Sequence, residues 1–298
     1  MSKTLVCLGH GYSARAVTSR LHGDSNWTLI GTSRTQDGAR RIAETGMRPI
    51  IYQGLSPSEN LGETIRSATY LLISASPDEA GDPFLRHHRK DIEASSVERI
   101  CYLSTIGVYG NHEGRWIDET AELLATSPRS KWRVRTEDRW RSAAAACGAA
   151  FMTMRLSGIY GPGRSAIDKL RAGSARRIVK PGQVFNRIHV SDIATCILAG
   201  FNTPNLPVDD DVPAGDVFNI TDDEPAPPQD VITLAAEMMG IDPPPEIPFE
   251  EADLGPMARS FYGDVKRVKN ERLKDILGVN LQYPTYREGL RGLLAEAA

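Results

Sequence analysis

Thr4-Leu5-Val6-Cys7-Leu8-Gly9-His10-Gly11-Tyr12-Ser13-Ala14-Arg15 decides how this chain is read. A short apolar run leads into G-x-G-x-x-A and then into a helical pattern, the layout of a strand, a tight turn and a helix N-terminus. Such a junction aims backbone N–H groups and the positive end of a helix dipole at an anion, and a pyrophosphate fits it. Gly9 supplies the turn conformation, Gly11 lets the backbone approach a ligand, and the small Ala14 lets the helix pack close to the strand. Gly9, His10, Gly11, Tyr12, Ser13 and Ala14 are therefore the first candidate dinucleotide contacts.

The next strand bears on which dinucleotide. Trp27-Thr28-Leu29-Ile30-Gly31 is followed by Thr32-Ser33-Arg34. An NAD site usually carries an acid here for the ribose 2′-hydroxyl. Two hydroxyls and a guanidinium suit a 2′-phosphate instead, because Arg offers fixed, charge-assisted donors. Thr32, Ser33 and Arg34 favour NADP(H) over NAD(H).

Bulk properties narrow the rest. The 298 residues can bury a substantial core, and 35 Lys and Arg against 38 Asp and Glu give a net charge of −3. That balance makes no case for nucleic acid, and no apolar run approaches the ~18 residues of a membrane span. The start moves almost at once into a strand, so a cytoplasmic protein is expected. Cys7, Cys101, Cys147 and Cys196 are scattered and read as small core residues, without metal-ligand spacing or a disulfide framework.

Strand-like and helix-like segments alternate through the first two-thirds of the chain, which predicts a Rossmann-type, doubly wound parallel α/β sheet. Expected strands include 48–51, 70–74, 100–104, 150–155 and 217–220, and an alanine-rich helix is expected over 133–146. Beyond the acidic loop Asp209-Asp210-Asp211-Val212-Pro213, prolines and shorter helical patterns replace the alternation. The expected division is a dinucleotide-binding domain over 1–163, with returning segments 186–201 and 215–221. Residues 164–185 and 222–298 would form a smaller, discontinuous substrate lobe. Ligands of such sheets sit beyond the carboxyl ends of the strands, which adds Ser74, Ser76 and Ser104 to the candidate cofactor contacts.

Five segments, in order, carry a family resemblance. They are the glycine turn, Leu103-Ser104-Thr105-Ile106-Gly107-Val108-Tyr109-Gly110, Arg155-Leu156-Ser157-Gly158-Ile159-Tyr160-Gly161-Pro162-Gly163, His189-Val190-Ser191-Asp192-Ile193-Ala194 and Val217-Phe218-Asn219-Ile220-Thr221-Asp222. Together they resemble the short-chain dehydrogenase/reductase superfamily, in its extended, nucleotide-sugar-epimerase-like branch. The resemblance implies a hydride exchanged with a bound nicotinamide and a Ser or Thr, here Thr105, hydrogen-bonding the reacting oxygen. It also implies a Tyr-x-x-x-Lys pair on the following helix, and a dimer through two helices near 84–94 and 133–146.

That pair is missing. With Glu137 as anchor, Arg129 stands at the tyrosine position and Arg133 at the lysine position. An arginine with a pKa above ~12 cannot replace a phenol as proton donor, although it can bind a cofactor phosphate or an anionic substrate. Arg133 is kept as a cofactor contact on that ground. Tyr109, beyond Thr105, is the candidate substitute phenol. Tyr160, Arg164 and Arg187 are candidates for contact with a small-molecule, anionic substrate, and the run Arg164, Lys169, Arg171, Arg176, Arg177, Lys180 and Arg187 makes that segment basic. His189 reads as a structural residue and Asp192, opening a helix, as a cap or a charge set against the helix dipole, while Arg155 is placed to hold an acid such as Asp118 or Glu119. Two functions stay open: an NADP(H)-dependent oxidoreductase or epimerase acting on a hydroxyl or carbonyl, for instance in a nucleotide sugar, and an NADP(H)-binding redox sensor or partner-binding module without hydride chemistry.

Overall fold

The computed structural model describes residues 3–204 and 217–296, so the acidic 209–213 loop lies outside the described residues. In chain order, strands β1 (Lys3–Leu8), β2 (Trp27–Ser33), β3 (Arg48–Ile51), β4 (Tyr70–Ile73) and β5 (Arg99–Thr105) alternate with helices α1 (Tyr12–Leu21), α2 (Gln36–Ala43), α3 (Glu59–Arg66) and α4 (Pro83–Glu93). A 3₁₀ turn over Ile106–Tyr109, β6 (Trp116–Ile117), α5 (Pro128–Cys147), β7 (Ala150–Leu156) and β8 (Gly158–Tyr160) follow. Next come α6 (Ala166–Arg171), β9 (Arg177–Val179), β10 (Arg187–His189), α7 (Val190–Asn202), β11 (Val217–Ile220) and α8 (Pro228–Met238). The chain closes with β12 (Glu246–Pro248), α9 (Pro256–Phe261), β13 (Arg267–Val268), α10 (Glu271–Leu277) and α11 (Tyr286–Ala295).

Seven strands form one parallel sheet in the order β11-β7-β5-β4-β1-β2-β3, and the order reverses at β1. Both faces are covered, as an all-parallel sheet requires. Leu5 and Cys7 of β1 pack on one side with Val17 of α1, Ile193 and Ile197 of α7 and Leu273 of α10. Val6 and Leu8 pack on the other with Ile65 of α3, Ile92 of α4 and Trp140 of α5. Alternate side chains of one strand thus feed two cores.

The long helix α5 begins at Pro128, well ahead of the expected Arg133, because Ser127 accepts a hydrogen bond from the Ser130 N–H and Pro128 occupies the first turn. This brings Arg129 and Arg133 onto the same helix. The strand Arg187–His189 does not enter the main sheet; it pairs with β8 in a separate two-stranded sheet. Further clusters outside the sheet gather Tyr160, Val231, Tyr286 and Leu290, and Ile178, Ala252 and Tyr262. Among the described residues, no helix is long and apolar enough to cross a membrane.

Candidate dinucleotide and substrate cleft

The turn after β1 sits at the point where the strand order reverses. Gly9 has φ +91°, and a Cβ there would lie 2.9 Å from the Ala75 backbone nitrogen, so both conformation and space require glycine. A Cβ on Gly11 would meet nothing nearer than Ser74 Oγ at 3.9 Å, which leaves the turn open on the side of the strand ends. Gly11 caps α1 without a side-chain hydrogen bond, leaving the helix's first N–H groups for a ligand. The residues present therefore fit a dinucleotide pyrophosphate.

The neighbouring candidates divide into those that build the turn and those that face outward. Thr32 is buried, accepts from the Gly9 N–H at 2.7 Å and donates to Cys7 O at 3.3 Å, so its hydroxyl fastens β2 to the turn. His10 turns its ring to Thr18 Oγ1 at 2.9 Å, and burial together with Arg15 lowers its pKa to about 4, keeping it neutral. Ser13 and Ala14 are buried in α1. The Tyr12 phenol donates to Pro162 O at 3.0 Å, tying the turn to the loop after β8, and the Arg164 guanidinium lies 5.8 Å from its ring centroid. Ser33 and Arg34 remain at the surface end of β2, and Arg34 has no carboxylate partner among the described residues.

At the end of β5 the candidates part company. Thr105 is half-buried and its Oγ1 accepts from the Gly107 N–H at 3.1 Å. Ser130 of α5 approaches from the other side: a Cβ on Gly107 would lie 3.2 Å from Ser130 Oγ and 3.4 Å from Thr105 Oγ1. Ser104 instead points into the protein and donates to Glu137 Oε1. Arg133 donates to Leu103 O, to Tyr102 Oη at 3.2 Å and to Ser76 Oγ at 2.8 Å, a fan of neutral acceptors at the ends of β4 and β5. Arg129 is exposed, and its Nη1 meets the Met257 sulfur of α9.

Tyr109 does not reach the cleft. It is 0% exposed, donates to Asn219 Oδ1 at 2.8 Å and accepts from Arg155 Nη1 at 2.9 Å, and burial pushes its phenol up to about 12. Tyr160 is likewise packed, its hydroxyl against Gly289 of α11 and its ring 5.2 Å from that of His189, and burial raises its pKa. Arg155 pairs with Glu137, not with Asp118 or Glu119; Glu119 accepts from the Asn219 N–H at 2.7 Å. Asp192 stands in the first turn of α7, as a dipole role requires, but does not cap it: His189 Nδ1 does so, and Asp192 accepts from the Gln282 and Tyr283 N–H groups. Much of the expected basic surface is structural. Arg176, Arg177 and Lys180 donate to the Asp253, Pro244 and Tyr262 carbonyls, and Arg187 to those of Phe185 and Ala226.

A conserved protein of unknown function from Silicibacter pomeroyi, whose structure is solved, is 45% identical, with a TM-score of 0.87 and 99% of both chains covered. This chain belongs to the same family as that protein. A UDP-glucuronic acid 4-epimerase from Bacillus cereus, solved with UDP-glucuronic acid and NAD, has a TM-score of 0.76 over 98% of both chains at 15% identity. That likeness shows the Rossmann-type fold. Among curated proteins, a 3-diazoavenalumate denitrifying reductase from a Streptomyces species is 26% identical over 187 residues, and the match spans 58% of each chain. No family model matches.

Proposed function

We propose that the protein is an NADP(H)-dependent oxidoreductase or epimerase of an atypical extended type, acting on a small molecule with a hydroxyl or carbonyl group. The observation that carries this reading is the open turn at Gly9 and Gly11 with an exposed, unpaired Arg34 at the tip of the adjoining strand. The turn and the N-terminus of α1 would hold the pyrophosphate, while Ser33 and Arg34 would take the 2′-phosphate. A bound nicotinamide supplies or accepts a hydride. Thr105 would donate its hydroxyl hydrogen to the reacting oxygen, and Arg133, held by Leu103, Tyr102 and Ser76, would be one of the residues that hold the cofactor. The cleft between the strand ends and the C-terminal helices would admit the substrate. UDP-glucuronic acid in the Bacillus cereus neighbour and the reductase activity of the Streptomyces relative both support this class of chemistry.

A second reading is favoured by Arg129 and Arg133 at the two proton-transfer positions: a dinucleotide-binding sensor or partner-binding module that performs no turnover. Calorimetric titration with NADPH, NADP, NADH and NAD, followed by a carbonyl-substrate screen of the loaded protein, tests both. Selective binding of the phosphorylated pair with turnover supports the enzyme; the same binding without turnover on any carbonyl or sugar supports the sensor. Binding of none of the four defeats both.

A further inference from the structure

Resting on the reading of the Gly9–Gly11 turn as a dinucleotide site, two guanidiniums beside it bear on how the ligand's charge is met. Helix α1 opens at Tyr12 with no acidic residue in its first turn, and the exposed Arg15 closes that turn. Helical side chains lean toward the N-terminus, so Arg15 leans over the open N–H groups. A cation at this positive end of the helix dipole is unfavourable unless an anion joins it. A second cation arrives from the loop after β8. Gly161 and Arg164 exchange backbone hydrogen bonds of 3.3 and 3.0 Å, a tight turn that sets the Arg164 guanidinium 5.8 Å from the Tyr12 ring centroid. Neither arginine has a carboxylate partner among the described residues. Asp168, four residues on from Arg164, is occupied by the Ser165 N–H and hydroxyl at 2.8 and 2.6 Å.

Tyr12 holds that loop against the turn. Its phenol donates to Pro162 O at 3.0 Å, and a Cβ on Gly161 would lie 2.6 Å from Tyr12 Oη, so only glycine admits the phenol there. A buried donor faces the same junction. His189 is 3% exposed, its Nδ1 accepts from the Ser191 N–H, and Nε2 therefore carries the ring hydrogen. That Nε2 has no partner among the described residues and lies 3.5 Å from the same Cβ position. A donor buried without its acceptor is costly, and Tyr12 Oη can accept from it when the loop settles on a ligand.

We propose that Arg15 and Arg164 clamp the pyrophosphate of the bound dinucleotide, one from α1 and one from the loop after β8, with Tyr12 as the residue that positions Arg164. The pyrophosphate's two negative charges match the two guanidiniums, each a charge-assisted donor. Arg164 then serves the cofactor and not the substrate, and the loop it stands on closes over the dinucleotide.

The test is calorimetric, with NADPH and NADH titrated into the full chain and its variants in the absence of any substrate. Arg164→Gln should weaken both about tenfold, the scale of one charge-assisted contact, because both carry the pyrophosphate. Arg164→Lys should keep part of the affinity. Arg15→Gln should weaken both likewise, while the melting temperature of the ligand-free chain stays the same or rises, since a cation opposed to the helix dipole is gone. Tyr12→Phe should lose as much as Arg164→Gln, and the double variant no more than either, because the two act as one unit. Unchanged affinities in Arg164→Gln, a loss confined to NADPH, additive losses in the double variant, or an Arg15→Gln loss matched by a lower ligand-free melting temperature overturns the proposal. Failure of the unaltered protein to bind either dinucleotide defeats the functional reading itself, whereas binding that Arg164→Gln leaves intact defeats only the clamp.

Discussion

Arg155 Nη2 lies 2.8 Å from Glu137 Oε2, with only 5% and 3% of the two side chains exposed. This buried pair joins β7 to the middle of α5, and Ser104 donates to the same carboxylate from β5. The position of Arg129 and Arg133 relative to the strand ends is therefore set from inside the domain. Burying two charges is costly, so the pair is a weak source of net stability, but breaking it leaves one charge uncompensated.

Glu137→Gln should accordingly lower unfolding free energy by about 3–5 kcal/mol, because Arg155 would stay buried without its anion. Urea unfolding measures it. A loss under ~1 kcal/mol would mean that solvent or another acid reaches Arg155.

Arg34→Ala tests the cofactor assignment without touching the turn. NADP affinity should fall by about 1–3 kcal/mol, the range for a hydrogen bond to a charged group, while NAD affinity barely changes. Equal losses for the two cofactors would remove Arg34 from the 2′-phosphate.

The turn itself is expected to tolerate no side chain at Gly9. Its φ of +91° is outside the range L residues favour, and the added Cβ would press on the backbone at Ala75. Gly9→Ala should cost about 1–3 kcal/mol in stability and abolish dinucleotide binding. Gly11→Ala, with nothing nearer than 3.9 Å, should fold normally and weaken only the ligand. Thermal melts with and without NADPH separate the two effects.

These differences track what a sequence can carry. The sheet strands were legible because each is a short apolar run bounded by turn residues, and Gly9 and Gly11 fell at the one place where such a run meets a helix. The roles of single polar side chains were not. Thr32 and Ser104 look like cleft hydroxyls in one dimension, yet each finds a buried partner, Gly9 N–H and Glu137, supplied by a distant segment. Tyr109 follows Thr105 closely, but the 3₁₀ turn after β5 rotates it inward to Asn219 and Arg155, which lie 110 and 46 residues away along the chain. The small parallel pairs β9–β12 and β6–β13 escaped because each strand has only two or three residues, too few to show a period.

Asp222 gives a pH signature. It is buried at the end of β11, and burial holds its pKa well above the ordinary 3.8, with Arg187 opposing the shift. A carboxyl whose folded pKa is raised binds its proton more tightly in the folded state. Its contribution is fully present below the unfolded value and is lost as pH rises through the folded one. Asp222→Asn, neutral throughout, should therefore gain stability relative to the unaltered protein as pH rises from 4 to 8. His10 and His189, both lowered to about 4 by burial, titrate alike in the two proteins and cancel from the difference. Melting temperatures across that range, compared pairwise, would show a flat difference if Asp222 were not buried as an acid.

Thr105 carries the last prediction, because its hydroxyl has two roles that must be separated. Oγ1 accepts from the Gly107 N–H and so caps the 3₁₀ turn, while its hydrogen remains free to point into the cleft. Thr105→Val removes both, and Thr105→Ser keeps both. If the hydroxyl stabilises charge developing on the substrate, Thr105→Val should lower turnover by about a hundredfold or more with cofactor affinity nearly unchanged, as when one aimed donor is deleted. Thr105→Ser should stay within about tenfold of the unaltered protein. A purely structural role would instead lower the melting temperature and cofactor affinity together in Thr105→Val. Turnover that survives in Thr105→Val would place the reacting oxygen elsewhere and leave Ser130, across Gly107, as the hydroxyl to replace next.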